Sequence, residues 1–435
     1  MSTNRYVLTP EQLAIAEERR LKKLEREKEQ ATKAKQQDPR GRILSRQWIQ
    51  LKEPVAGRQT VKVMTWNMLA QCLVRRELFP TSDCLKASQR EHMLYTEILS
   101  HRADICCLQE VDRTEKLFPV LGEAGYSFIY KAGPRKKHGC VIAFKKDVFE
   151  LVDDRQVFYD EQDVRSDGND RYRRGSSFYT KNIANLVALR KQNTDSGFFI
   201  GTTHLFWHPR YTYERARQTG ILFREISRFR EDLGKQGWPC IVAGDFNFTP
   251  TDAAYSLLVG DPLLPEQSAT LEFSRVVHRS IDPSVPATAP KADDQDDEDA
   301  DPDRVITNAR AATSDDGLLS DAELCALFAR EVRPVSAYDA GLCAADPAVR
   351  DRLAFGSRDK LPDGRRGAHE PVWTSYTHVN YIFVLDPPDR QVSVVGLAEP
   401  FPEEKLVPGL PRKGVCGSDH ISLSAELAWD VPASS

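Results

Sequence analysis

The sequence predicts an α/β domain with a charged appendage at its front and a polar insertion in its second half. Two observations predict the domain. Short apolar, β-rich runs recur at Val61–Trp66, Ile105–Leu108, Cys140–Phe144, Ile183–Leu189, Phe198–Thr203 and Cys240–Ala243. Stretches with helical spacing lie between them, roughly 88–101 and 213–233, the second carrying Ile221, Leu222, Ile226, Phe229 and Leu233. Short buried strands interleaved with helices define the α/β class. Strands resume near Tyr381–Leu385, Val392–Leu397 and Ile421–Leu427, so the two ends of the domain have to pack into one core.

Residues 1–50 read as a charged helical extension. Thr9 can cap, Pro10 suits the first helical position and Gln12 completes a capping box. Between residues 11 and 36, eight Lys or Arg face six Glu, and the apolar positions Leu13, Ile15, Leu21 and Leu24 are too few for a core-facing stripe. The choice is between a solvated helix and a nucleic-acid-contacting or nuclear-targeting arm. The main domain then runs from 51 to 430, interrupted at about 279–316. That segment combines Pro283, Pro286 and Pro290 with an acidic run, and is expected to be a disordered surface insertion because it has too little apolar surface to offset its ordering entropy.

Composition narrows the function classes. With 40% hydrophobic residues a large core is possible. No apolar run reaches the roughly 18 residues of a membrane span, and no membrane association is expected. The opening residues lack a secretory signal, and Glu11, Glu17 and Glu18 argue against a mitochondrial presequence. The expected location is intracellular, in cytoplasm or nucleus. The nine cysteines are scattered and form no Cys-x-x-Cys pair, so reduced structural thiols are expected and zinc is not. The net charge of −4 hides a local asymmetry. Residues 293–303 hold eight acids and no Lys or Arg, and setting those acids aside takes the charge to +4, which permits a basic groove for nucleic acid.

Five segments place polar, metal-competent residues at the end of an apolar run. Asn67 follows Val63–Trp66, and Glu110 follows Cys106–Gln109. A carboxylate beside a buried strand is a natural ligand for a hard cation, because Mg²⁺ is held by one or two carboxylates plus water. His204 follows Phe198–Thr203. Asp245 and Asn247 follow Cys240–Gly244, two apart, so on extended backbone both side chains point one way. Asp419 and His420 precede Ile421–Leu427, pairing a charged acceptor with a proton donor. Each signal alone is weak.

The ordered set Asn67, Glu110, His204, Asp245-x-Asn247, Asp419-His420 resembles the endonuclease/exonuclease/phosphatase superfamily over about residues 60–430. The resemblance implies a four-layer α/β sandwich, two packed mixed sheets flanked by helices, and cleavage of phosphoesters with bound Mg²⁺, for which Mn²⁺ can substitute. It implies Glu110, Asn67 and Asp419 as metal-site residues. It further implies Asp245 as the group that orients or deprotonates water, Asn247 and His204 as phosphate contacts, and His420 as a stabiliser of developing charge. Phosphoryl transfer needs in-line positioning and neutralised oxygen charge, and these residue types supply both.

Further motifs resemble the carbon-catabolite-repressor-type exoribonuclease branch, which includes nocturnin and the angel proteins. They are Trp66-Asn67-Met68-Leu69-Ala70, His204-Leu205-Phe206-Trp207-His208-Pro209, and Asn182 within Thr180–Ala184. By that resemblance Asn182, Pro209, Trp207, Asn247 and Asn380 line the substrate pocket. Arg171, Arg173, Arg174, Lys181 and Arg210 could track an RNA backbone. The arm, the insertion and Asp303–Asn308 are most similar to the fungal RNA exonuclease subgroup. The implied function is a Mg²⁺-dependent 3′-to-5′ exoribonuclease releasing nucleoside 5′-monophosphates from single-stranded 3′ ends, poly(A) tails or ribosomal RNA. One departure stands out. Where the branch has Asp before Tyr-Ile-Phe, this chain has Asn380, and about five preceding residues are missing with their base-stacking aromatic. This motivates one alternative, a catalytically impaired RNA-binding scaffold; a second, a phosphatase acting on a nucleotide or lipid headgroup, arises because the same chemistry serves those substrates.

Overall fold

The computed structural model describes residues 39–53, 57–287, 306–345 and 380–430. The helix expected between 9 and 36, the acidic run and Trp373–Val379 lie outside the described residues. In chain order the strands are β1 Trp48–Gln50, β2 Gln59–Asn67, β3 Ile105–Val111, β4 Tyr126–Ala132, β5 Gly139–Lys145, β6 Phe149–Phe158, β7 Ile183–Lys191, β8 Gly197–Thr203, β9 Cys240–Asp245, β10 Val276–His278, β11 Ala309–Ala311, β12 Val335–Ser336, β13 Asn380–Leu385, β14 Ser393–Ala398 and β15 Leu423–Trp429. The helices used below are α1 Ala87–Ser100, α2 Thr114–Glu123, α3 Asp170–Arg174, α4 Thr212–Asp232, α5 Ala253–Val259 and α6 Pro265–Phe273.

Two mixed sheets form the framework, one in the order β1-β14-β15-β2-β3-β5-β4 and the other β12-β13-β9-β8-β7-β6. Strand alternation decides which residues fill the space between them. From β2 and β3, Val61, Val63, Ile105 and Cys107 face the second sheet, where they meet Phe198, Ile200, Ile241, Ala243, Ile382 and Val384. The intervening residues Met64, Trp66, Cys106 and Leu108 face outward and pack under Leu94 and Ile98 of α1 and Leu117 and Leu121 of α2. On the second sheet Phe199 and Val242 face outward to Ile221, Leu222, Ile226 and Phe229 of α4. The result is the expected four layers, helix, sheet, sheet, helix. Each large apolar side chain buried this way contributes about 1.5–3 kcal/mol.

Two boundaries differ from expectation. The domain begins before residue 51: β1 pairs antiparallel with β14, and Ile49 and Leu51 pack on the inter-sheet core. Three residues of strand are too few for a periodicity to register. The insertion at about 279–316 is ordered at both margins. Strand β10 pairs with β11, Ile306 packs with Phe178, Phe206 and Tyr211, and buried Asp316 accepts from Nη1 and Nη2 of Arg310. These flanks carry apolar and paired residues of their own, which the acidic composition of the centre masks.

Candidate active site

The alternation that builds the core also builds the site. Each inward-facing row runs on to a polar residue at the rim: β2 reaches Asn67 past Thr65, β8 leads to His204 past Thr202, β9 reaches Asp245, and β13 begins at Asn380. Parallel pairing of β2 with β3 and of β8 with β9 brings their carboxyl ends to one rim. His204 bridges to Asp245 on one side, and Asn380 sits opposite Asp245 in the antiparallel register on the other. Beneath the rim Gln109 Nε2 donates to Thr65 Oγ1 at 3.1 Å and Thr202 Oγ1 at 2.9 Å, tying the sheets together.

Asn67 is the centre. Its Nδ2 donates to Glu110 Oε1 at 2.8 Å and to Asp245 Oδ2 at 2.9 Å, while its Oδ1 accepts from Leu69 N at 3.0 Å. Glu110 Oε2 accepts from Ala70 N at 2.9 Å. His204 lies between the two carboxylates, with Nδ1 3.8 Å from Glu110 Oε1 and Nε2 3.7 Å from Asp245 Oδ2. His420 Nε2 lies 3.6 Å from the same Asp245 oxygen. Burial alone would push the Glu110 carboxyl up. The imidazoles of His204 and His138 and the Asn67 hydrogen bond outweigh burial and the repulsion of Asp419, and hold it below the usual range.

Two expected geometries are corrected. Glu110 does not follow its strand but sits inside β3, at a bulge where the β3–β5 register shifts between Leu108 and Val111, with φ +55°. Alternation would send it outward with Leu108; the left-handed residue re-aims it into the rim. Asn247 is not on extended backbone either. At φ +53° it closes a turn in which its N–H donates to Asp245 Oδ1 at 3.0 Å and its Nδ2 to Leu205 O at 3.0 Å. Asn and Asp favour such turns because the side chain mimics a backbone acceptor.

The other expected residues form a second tier. Asp419 is buried beside Ser418, whose Oγ donates to Asn67 O at 2.7 Å. Trp66 Nε1 donates to His420 O at 2.9 Å, fixing that turn against β2. Asn182 Nδ2 donates to Gln218 Oε1 at 3.4 Å, and the same oxygen accepts from Phe206 N at 3.1 Å, so α4 joins Asn182 to the His204 loop. Arg215 holds that loop through the carbonyls of His208 and Pro209. Trp207 is 43% exposed and packs edge-on to His208. Asn380 is buried, yet neither amide atom has a hydrogen-bond partner among the described residues.

Sequence reasoning missed Arg90. This buried guanidinium on α1 donates to Met68 O at 3.2 Å, Leu69 O at 2.5 Å and Gly417 O at 2.8 Å. It therefore grips both loops that carry site residues, including Leu69 at φ +58°. A lone Arg in a helix gives no sequence signal.

Among the described residues no group of three or more His, Cys, Asp or Glu is arranged to enclose a metal ion. That is compatible with a hard divalent cation, which takes one or two carboxylates and completes its shell with water and substrate oxygens. Glu110 fits this chemistry: buried, held below its ordinary pKa, and with one hydrogen-bond donor on each oxygen, so that lone pairs remain.

A fold of this kind, with this rim, defines a class of phosphoester hydrolases, and the chain belongs to the Endonuclease/Exonuclease/phosphatase family, whose profile matches residues 64–324. It is 28% identical to a probable RNA exonuclease of Schizosaccharomyces pombe, over 84% of this chain and 76% of that protein. It is 33% identical to RNA exonuclease NGL2 of Saccharomyces cerevisiae, over 48% of this chain and 44% of that one. These fungal relatives agree with the branch its motifs resemble. In fold it is similar to ANGEL2, described as a 2′,3′-cyclic phosphatase, with a TM-score of 0.55 and 20% identity over 89% of this chain and all of that one.

Proposed function

We propose that this protein is an intracellular, Mg²⁺-dependent 3′-to-5′ exoribonuclease that releases nucleoside 5′-monophosphates from single-stranded 3′ ends such as poly(A) tails or ribosomal RNA termini. One observation carries the reading. Asn67 bridges Glu110 and Asp245 on one rim while two imidazoles flank the same carboxylates. The names of the fungal relatives support RNA over other phosphoesters.

Glu110, with Asn67 and Asp419 beside it, would hold the cation. When bound, it supplies neutralisation of phosphate oxygens and orientation of the scissile group. Asp245 accepts a proton from the attacking water or orients it; Asn67 on Oδ2 and Asn247 N–H on Oδ1 fix its plane. His204 and His420 present N–H groups where charge grows on the phosphate. Asn247, Asn182, Pro209, Trp207 and Asn380 would line the path of the terminal nucleotide.

The test is purified protein on a 5′-labelled RNA ending in adenosines, with Mg²⁺ or chelator, beside Glu110→Ala. A ladder shortening from the 3′ end, lost with chelator and with the substitution, is expected. Release of inorganic phosphate instead of monophosphates would replace this reading with a phosphatase.

A further inference from the structure

The β4–β5 hairpin turn reads Gly133-Pro134-Arg135-Lys136-Lys137-His138, ending in four consecutive residues able to carry positive charge. Two observations set its tip on the site. The His138 ring lies 6.4 Å from the His204 ring, centroid to centroid. Lys136 Nζ donates to Asn182 Oδ1 at 2.9 Å. The tip is held in place: a Cβ on Gly133 would sit 1.9 Å from Lys181 O, a backbone approach only glycine allows, and Lys136 N closes the turn on Gly133 O at 3.1 Å. Arg135 and Lys137 are exposed.

Resting on the exoribonuclease reading, we infer that this tip is a backbone-phosphate subsite for the RNA strand. His138 contacts the phosphate next to the scissile one, and Lys136 bridges it to Asn182. Arg135 and Lys137 meet phosphates further from the 3′ end. Neutral or protonated, His138 keeps an N–H to donate. Arg and Lys at a strand entrance neutralise phosphates and release counterions, which makes binding salt-dependent. The tip would thus distinguish a chain from a lone nucleotide.

The experiment compares wild type, His138→Ala and the double variant Arg135→Ala/Lys137→Ala on an adenosine oligomer and on a dinucleotide with one phosphodiester, across a salt series with Mg²⁺. Melting temperature checks folding. For the double variant, a raised KM on the oligomer with kcat unchanged is expected, and the dinucleotide should not respond. The slope of log KM against log salt should fall by about 0.7 for each phosphate that is no longer neutralised. His138→Ala should raise KM on the oligomer alone, because a dinucleotide with one phosphodiester has no phosphate beside the scissile one. Equal change on both by the double variant, or no change on either, overturns the inference. Anisotropy of a labelled oligomer in chelator gives an independent arm. If wild type cleaves neither substrate but binds the oligomer through the tip, the catalytic reading fails and the subsite stands. If it does not bind, both fail.

Discussion

Asn67 and Asn380 flank the same carboxylate and are opposites. Both are buried, inward-facing residues at strand ends beside Asp245. Asn67 has every polar atom engaged, donating to two carboxylates and accepting from Leu69. Asn380 has neither atom engaged among the described residues. Leaving a buried amide unmet costs about 1–3 kcal/mol. One side of the rim is thus preorganised by satisfied polar groups, and the other holds one left unsatisfied among the described residues, the pattern expected where stability is given up for substrate contact.

The largest effect should come from breaking the satisfied side. Glu110→Ala removes the carboxylate proposed to hold the cation, and cleavage should vanish at any Mg²⁺ concentration. Asn67→Ala strips a donor from both carboxylates and should lower kcat by about 10²–10³, the usual loss for one preorganised donor. A rate within a few fold of wild type would mean that the bridge is structural only.

Next comes the support beneath His420. Glu97 is buried with Arg46, His101 and Ser422, accepting from Ser422 Oγ at 2.6 Å. Burial opposes ionisation, but Arg46, His101 and Ser422 outweigh it and hold the carboxyl well below its usual range. Glu97→Gln leaves Arg46 buried and unpaired and should cost about 3–5 kcal/mol at neutral pH. A carboxyl lowered on folding stabilises the protein above its unfolded pKa of about 4.5, and that stability drains away as pH falls below it. The gap between wild type and variant in urea melts should therefore narrow below about pH 4.5. A constant gap would show that the effect is packing rather than charge.

Arg90→Met should follow, at about 3 kcal/mol, because it leaves three buried carbonyls short of a charged donor. It should also raise the Mg²⁺ concentration needed for half-maximal rate, since Leu69 and Ala70 would no longer be held against Asn67 and Glu110. Lowered stability with unchanged Mg²⁺ response would limit Arg90 to folding.

The same contrast explains what the sequence could show. The inter-sheet strands are legible because Ile105–Leu108 or Phe198–Thr203 are apolar on both faces. Strand β4, half-buried along most of its length, and β6, with Glu150, Asp153, Asp154 and Arg155, carry no such run and escape a reading based on apolar runs. The site is legible as residue types at strand ends, and family resemblance supplies their roles. What escapes is set by backbone and partnership. A glutamate at φ +55° gives no signal, because glycine is the residue that normally marks left-handed geometry. Arg90 and His138 act through neighbours distant in the chain, such as Gly417 and His204, so nothing local marks them.

The smallest effect, and the sharpest test of the contrast, is Asn380→Leu beside Asn67→Leu. Leucine keeps the γ-branched shape of asparagine but is larger, so any cost of overpacking is common to the pair and the comparison is between the two variants. At Asn67 the substitution deprives Glu110 Oε1 and Asp245 Oδ2 of their shared donor and should destabilise. At Asn380 it removes an amide with no partner among the described residues, and should stabilise by about 1 kcal/mol, read as a rise in Tm of a few degrees. If Asn380 is kept for substrate, the stabilised protein should cleave more slowly, through a higher KM. A variant that is both more stable and equally active would make Asn380 a relic. A less stable one would mean that the amide is engaged in the folded protein, and the asymmetry between the two asparagines would disappear.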